Sequence, residues 1–153
     1  MTVDTTTATM GTPIEVSPME TTHKECFACG IGNPTGLHLH FEVGPDGIAF
    51  ADWQPTPQFR SYPDRVHGGI IATMLDSAIV HALFARGVCG VTAELTLRYV
   101  LSVNLTDPVR VTGWVESDRH KLYLCRAEVH QAGELAVRAS AKFLPIHPTP
   151  AVS

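Results

Sequence analysis

The sequence lacks the features that mark nucleic-acid-binding proteins and membrane proteins. Its 11 basic and 15 acidic side chains give a formal charge of −4, and no block of like charge forms the positive surface that a duplex-binding protein needs. The most apolar stretch, residues 66–85, contains His67 and His81 and carries Asp76 near its centre, where a bilayer tolerates a charge least. We therefore expect no nucleic acid and no membrane among its partners.

Cysteine is scarce, and the start of the chain has no recognisable leader. The four cysteines are irregularly spaced, and the first twelve residues hold six threonines but no Lys or Arg, whereas a secretory signal or transit peptide needs basic residues. This pattern favours reduced thiols and a cytoplasmic location. The length suits one domain, and we predict a disordered Thr-rich tail at residues 1–22, a folded domain at 23–145 and a short C-terminal tail at 146–153.

The hydrophobic pattern changes from strand to helix and back to strand once. Apolar residues alternate at 37–43 and at 48–53, on either side of the turn sequence GPDG, which predicts a hairpin. A Pro-rich loop at 54–66 leads to residues 70–86, where apolar side chains recur with the period of a helix. Four more alternating segments follow, at 91–100, 109–116, 121–130 and 134–144.

The order of these elements predicts the fold class. The short connections between the last four strands predict a meander of antiparallel neighbours, and no second helix is predicted to cover the other face of the sheet. We therefore predict an α+β fold in which a curved antiparallel β-sheet wraps around one long central α-helix.

Asp76 is the first candidate for chemistry. It is the only acidic residue between Val66 and Arg86, and no Lys or Arg lies three or four positions away along the helix. A carboxylate buried without a cation costs free energy, so its presence suggests a function. A solvent-exposed edge, or a hydrogen bond to a neighbouring strand, is the alternative explanation.

The segment His67-Gly68-Gly69 is the second candidate. Glycines at the start of a helix let a ligand approach the backbone, and the unpaired N–H groups there can stabilise developing negative charge. A plain tight turn is the alternative. Gly68 and Asp76 are eight residues apart, or about 12 Å on one helix, so one chain cannot place both on one carbonyl. If they cooperate, the second must come from another copy of the chain.

Two motifs give the sequence a family resemblance. The segment HGGIIATMLD at residues 67–76 is followed, sixteen residues after its aspartate, by Thr92 in VTAELTLRY. Together they resemble the hotdog-fold acyl-CoA thioesterases of the phenylacetate-pathway type, over roughly residues 26–144. The segment CFACGIGNPTGL at residues 26–37 also resembles the start of many members of this group.

The resemblance implies hydrolysis of an acyl-CoA thioester without a cofactor, in a homodimer or a dimer of dimers. In such enzymes the residue matching Asp76 activates water or acts as nucleophile. The amide matching Gly68 polarises the carbonyl from the other subunit, and the hydroxyl matching Thr92 places the carboxylate or the water.

Further residues complete the expected substrate site, and two other functions stay open. His67 and Gly69 would shape the loop or contact substrate. Ser61 stands where related enzymes often carry an amide or imidazole, so Ser61 or Gln58 would supply the remaining contact. The alternatives are a non-catalytic acyl-CoA-binding dimer and a hotdog enoyl hydratase or dehydratase that uses His67 as its acid and base.

Cys26 and Cys29, with His23 and His38, form the pattern H-x2-C-x2-C-x8-H, which contains four possible zinc ligands. The spacing matches no strong closed pattern, and the motif does not stand at a strand-to-helix turn as a redox pair would. We predict a structural turn and no metal. Basic residues that could meet the phosphates of coenzyme A all lie in the strand half: Arg98, Arg110, Arg119, Lys121, Arg126, Arg138 and Lys142.

Overall fold

The computed structural model describes residues 22–147. The predicted tails at 1–22 and 146–153 lie almost wholly outside the described residues, so the domain boundaries remain predictions. The strands are β1 (Glu42–Val43), β2 (Ala49–Trp53), β3 (Gly90–Tyr99), β4 (Val109–Arg119), β5 (Leu122–Gln131) and β6 (Glu134–Pro145). One long helix, α1 (Gly68–Phe84), and a short 3-10 helix, Pro57–Phe59, complete the elements.

The strands form one antiparallel, six-stranded sheet in the order β1-β2-β4-β5-β6-β3, and α1 packs against it. The fold class predicted from the sequence is confirmed. The helix forms because its apolar side chains are buried all along it, among them Ile71, Met74, Leu75, Ile79 and Leu83, each no more than 1% exposed. Within residues 22–147, no helix is both long and apolar enough to cross a membrane.

The helix lies unusually close to the sheet at one point. Gly113, in the middle of β4, faces the backbone of Ala78, and a Cβ built on this glycine would lie 2.6 Å from the Ala78 carbonyl carbon. No real side chain fits in that space without a shift of the backbone. The absence of a side chain at Gly113 thus sets the distance between helix and sheet.

The first predicted strand is much shorter than expected. The burial of Leu37 and Leu39 follows the predicted alternation, but only Glu42 and Val43 pair with β2. The amides of Leu37 and Leu39 instead donate to the carbonyls of Phe27 and Ala28. The prediction of a strand over 37–43 was therefore wrong in length, because the backbone groups of residues 37–39 are taken by the preceding loop.

The predicted meander of four strands was wrong for its first member. β4, β5 and β6 follow one another as neighbours, but β3 pairs with β6 and not with β4. The connection from β3 to β4 crosses the end of the β5–β6 hairpin, where Asn104 exchanges hydrogen bonds with Gln131. β3 consequently lies at an edge of the sheet, with most of its residues exposed.

Candidate active site

Asp76 lies in the middle of α1 and is bound by a hydroxyl from the edge strand. Thr92 Oγ1 donates to Asp76 Oδ1 at 2.5 Å. Burial raises the pKa of Asp76 above its usual value, the Thr92 hydroxyl partly offsets this shift, and the nearby Cys26 thiol, when ionised, adds to it. Within residues 22–147 the structure shows no cation paired with this carboxylate. The arrangement favours a carboxylate that accepts protons readily.

A β-bulge helps to present Thr92 to Asp76. The pairing of β3 with β6 shifts register between Thr92 and Glu94, so Ala93 is the extra residue. Bulges of this kind redirect a side chain and increase the local twist of a strand. The sixteen-residue interval recognised in the sequence thus corresponds to a direct contact between the helix and the first strand after it.

The start of α1 leaves one amide free. The His67 side chain caps the helix by accepting the Gly69 N–H at Nδ1, over 2.8 Å. The His67 carbonyl accepts from Ile70 and Ile71, at 3.0 and 3.2 Å. Within residues 22–147, the Gly68 N–H has no acceptor. It is therefore the amide that can bind an external oxygen, at the positive end of the helix dipole.

Tyr99 fixes the orientation of the Gly68 residue. Its hydroxyl donates to the Gly68 carbonyl at 2.6 Å, and burial raises the pKa of this phenol. The sequence analysis missed Tyr99. The contact joins residues 31 positions apart, and only the knowledge that β3 passes the start of α1 could have pointed to it.

A cavity of about 280 Å³ adjoins this helix start. Ser61 and Tyr62 line it together with Gly68, Ile71 and Tyr99. Gln58, the other candidate for a substrate contact, is exposed and does not line the cavity. Of the two loop residues predicted to contact substrate, Ser61 therefore lines the same cavity as Gly68, and Gln58 does not.

The basic residues of the strand half divide into two groups. Arg110 pairs with Asp52, Arg126 with Glu116 and Lys142 with Glu94. Arg98, Arg119, Lys121 and Arg138 show no ion pair within residues 22–147. Of these, Arg98 and Arg138, with Arg126 and Trp114, line a groove of about 350 Å³ on the sheet. Arg98 and Arg138 are therefore the unpaired cations that line a groove.

The cysteine segment lies against the helix near Asp76. The four cysteines are free thiols. His23, Cys26 and Cys29 come together, whereas His38 turns away and its Nε2 lies 2.5 Å from the Asn33 carbonyl oxygen. Hydrogen bonds from Cys29 and then His23 lower the pKa of Cys26 to about 3. The structure thus assembles three of the four ligands in the sequence pattern.

Fold and site together define a hotdog protein with a hydroxyl-bound carboxylate on its central helix and a free amide at the start of that helix. Residues 64–137 match the family model of the thioesterase superfamily, and the resemblance predicted from the sequence is confirmed. Sequence comparison with curated proteins finds no match.

Solved structures show the same fold. A thioesterase superfamily protein of known structure is 26% identical to this chain, with a TM-score of 0.73. The match covers 76% of this chain and 61% of that protein, so this chain spans about three fifths of that protein's length. PaaI from the phenylacetic acid degradation operon of E. coli is 18% identical over 74% of this chain and 83% of its own, with a TM-score of 0.68.

A hypothetical thioesterase from Streptococcus pneumoniae TIGR4, solved with coenzyme A, is 17% identical over 71% of this chain and 85% of its own, with a TM-score of 0.66. Two variants of it have also been solved, one with an aspartate replaced by alanine and one with a threonine replaced by alanine. The two positions are sixteen residues apart.

Proposed function

We propose that this protein is an acyl-CoA thioesterase whose active site is built between two copies of the chain. The observation that carries the proposal is the Asp76–Thr92 contact: a half-buried carboxylate, held by a hydroxyl and without a cation among residues 22–147. A group placed in this way is costly to the fold and useful as a base or nucleophile. It needs a carbonyl to act on and an amide to receive the negative charge.

The chemistry requires few groups. Asp76 takes a proton from water as the water oxygen attacks the thioester carbonyl, or attacks that carbon itself and is then released by water. The C–S bond breaks, and the thiolate leaves and takes up a proton. Water and thioester thus become a carboxylic acid and a free thiol. Since a thiolate is a good leaving group, a base and an oxyanion donor suffice.

The Gly68 amide is the proposed oxyanion donor. It has no acceptor within the described residues, and the Tyr99–Gly68 hydrogen bond holds its neighbouring carbonyl in place. Preorganised donors of this kind stabilise the charge that develops on the carbonyl oxygen. Asp76 and Gly68 lie about 12 Å apart along one helix, so the amide that serves a given Asp76 belongs to a second copy.

The exposed edge of the sheet supports such a dimer. β3 is a ten-residue edge strand with an open row of backbone groups, and Val91, Tyr99, Val100 and Leu101 are each more than 40% exposed on or just after it. A long, apolar edge invites pairing with another strand. Two-fold pairing of β3 with its own copy would place each helix beside the other.

The solved structures support the substrate class. The S. pneumoniae protein was solved with coenzyme A and a S. mutans protein with acetyl-CoA. The aspartate and threonine replaced in the S. pneumoniae protein have the spacing of Asp76 and Thr92 here. We infer that this chain also takes acyl-CoA, with Arg98 and Arg138 as candidate phosphate contacts.

The hydratase alternative would need His67 as acid and base, and the structure gives one nitrogen of this residue another task. Its Nδ1 accepts the Gly69 N–H, so this nitrogen is already occupied and the ring is held against the helix it caps. An acid-base histidine needs a nitrogen that can exchange a proton with substrate, and only Nε2 is left for that; loss of activity in His67→Ala with formation of an enoyl product would favour the hydratase. His67 is better suited to hold the start of the helix in shape.

Subunit complementation tests both the chemistry and the dimer. Asp76→Asn removes the base. Gly68→Pro removes the amide N–H at the first helical position, where proline is well tolerated, and His67 already has the extended backbone, ψ 132°, that a following proline requires. We expect each variant alone to release almost no thiol from a panel of acyl-CoAs.

Mixing the two variants after dissociation should restore activity. Half of the dimers in an equal mixture are hybrids, each with one intact site out of two, so about a quarter of wild-type activity should return. An inactive mixture that contains hybrids would show that the site is not shared. Wild-type protein that gains thermal stability with acyl-CoA but releases no thiol would instead identify a non-catalytic binder.

A further inference from the structure

Two cysteines and one histidine converge outside the proposed reacting centre. The ligand atoms of His23, Cys26 and Cys29 all lie within 4.8 Å of one another, and His23 Nδ1 lies 3.6 Å from Cys29 Sγ. A tetrahedral zinc ion, with Zn–S of about 2.3 Å and Zn–N of about 2.0 Å, holds sulfur and nitrogen about 3.6 Å apart. The distance between His23 Nδ1 and Cys29 Sγ therefore already matches the distance between two ligands of one zinc ion.

The turn that carries the cysteines is closely built. The Gly30 N–H donates to the Cys26 carbonyl at 2.8 Å, and a Cβ on Gly30 would lie 2.4 Å from the Cys26 nitrogen and 2.5 Å from the Lys24 carbonyl oxygen. Glycine directly after the second cysteine is thus required for the chain to fold back on itself. This backbone fixes the relative positions of the two sulfurs.

The two thiols are half-buried against the hydrophobic core. Apolar packing of this kind limits the access of solvent to a bound metal.

The His81 ring borders the cluster. It lies 6.4 Å from the His23 ring, between ring centroids. Its Nε2 is buried without a hydrogen-bond partner among the described residues. A buried polar nitrogen normally has a hydrogen-bond partner, either a protein group or an ordered water.

We propose that His23, Cys26 and Cys29 bind one Zn²⁺ ion, with the fourth coordination position open to water on the side of His81. Two thiolates and an imidazole are ligands that zinc favours. This replaces the structural turn without metal that the sequence predicts. His38, the fourth residue of the sequence pattern, takes no part, because its Nε2 contacts the Asn33 carbonyl. The proposal is independent of thioesterase activity.

Metal titration of the reduced, full-length chain tests the proposal. We expect one Zn²⁺ per chain by elemental analysis, and Co²⁺ in its place should give thiolate-to-metal charge-transfer absorption. Cys26→Ser and Cys29→Ser should weaken Zn²⁺ binding more than about 100-fold, since loss of outer hydrogen bonds alone costs about 10–100-fold. His23→Gln offers a milder variant should a cysteine variant fail to fold.

Two variants serve as matched controls. Cys89→Ser removes a thiol elsewhere in the chain, and His38→Gln removes the histidine that the sequence pattern offers but the structure turns away; both should bind Zn²⁺ like the wild type. Reduced wild-type protein that retains no Zn²⁺ overturns the proposal. So does Zn²⁺ bound equally well by wild type and Cys26→Ser, which would place the ion elsewhere.

Discussion

The two sides of the central helix differ in what they do for the molecule. On the sheet side, Met74, Leu75 and Ala78 are completely buried, and Ala78 rests on the backbone of Gly113. On the other side Gly69, Thr73 and Asp76, spaced as one helical stripe, are exposed or half-buried. Packing in the core accounts for the residues on the sheet side. The other side holds a carboxylate whose burial costs free energy, and a catalytic role accounts for this residue better than packing does.

The difference teaches that stability and function are separable on this helix. Substitutions on the sheet side should change the free energy of unfolding and leave the catalytic groups intact. Substitutions on the other side should lower activity, and removal of the costly Asp76 charge should stabilise the fold. Each experiment that follows tests one side of this comparison.

The largest effect is expected from Asp76→Asn, which keeps the shape and an acceptor for Thr92 but removes the base. We expect kcat for thioester hydrolysis to fall about 10²–10⁴-fold, the usual contribution of a general base, and further if Asp76 is the nucleophile. Thiol release from acyl-CoA measures this, with size-exclusion chromatography to show that the assembly is unchanged. Full activity in this variant would remove Asp76 from the mechanism.

The same variant should have the opposite effect on stability. Because burial raises the pKa of Asp76 in the folded state, the folded protein holds this proton more tightly than the unfolded chain does. Wild-type stability therefore falls as pH rises from the usual aspartate value through the raised pKa. The variant lacks this loss, so its advantage in free energy of unfolding should grow toward neutral pH, measured by denaturant titration at fixed protein concentration.

Gly113→Ala tests the sheet side. The new methyl group meets the Ala78 backbone at 2.6 Å, which cannot yield as a side chain would, and overpacking of this kind costs about 1–3 kcal/mol. Gly90→Ala is the matched control, since its Cβ meets side-chain atoms first, Leu83 Cδ1 at 2.9 Å and Phe143 Cδ1 at 3.4 Å, and the nearest backbone atom lies 3.5 Å away. We expect a clearly smaller loss of unfolding free energy for Gly90→Ala, and equal losses would contradict the close contact at Gly113.

The sequence predicted what depends on local pattern. The helix, the strands after it, Asp76, Thr92 and the helix start at Gly68 all follow from periodicity, glycine spacing or the resemblance. Features that depend on long-range pairing were missed: β3 beside β6, the Tyr99–Gly68 hydrogen bond, and the pairing of residues 37–39 with the cysteine segment. No residue type in the sequence predicts these contacts, because each depends on how the sheet closes around the helix.

The smallest effect is expected at Thr92, which acts on Asp76 and not on substrate. Thr92→Val keeps the shape of the side chain and its strand preference but removes the O–H that stabilises the carboxylate. The pKa of Asp76 should rise further, so the acid limb of kcat/KM should move to higher pH, while activity well above that limb falls less than in Asp76→Asn. Thr92→Ser retains the donor and should keep the wild-type profile. If the acid limb of kcat/KM does not move in Thr92→Val, the residue that titrates in that limb is not Asp76.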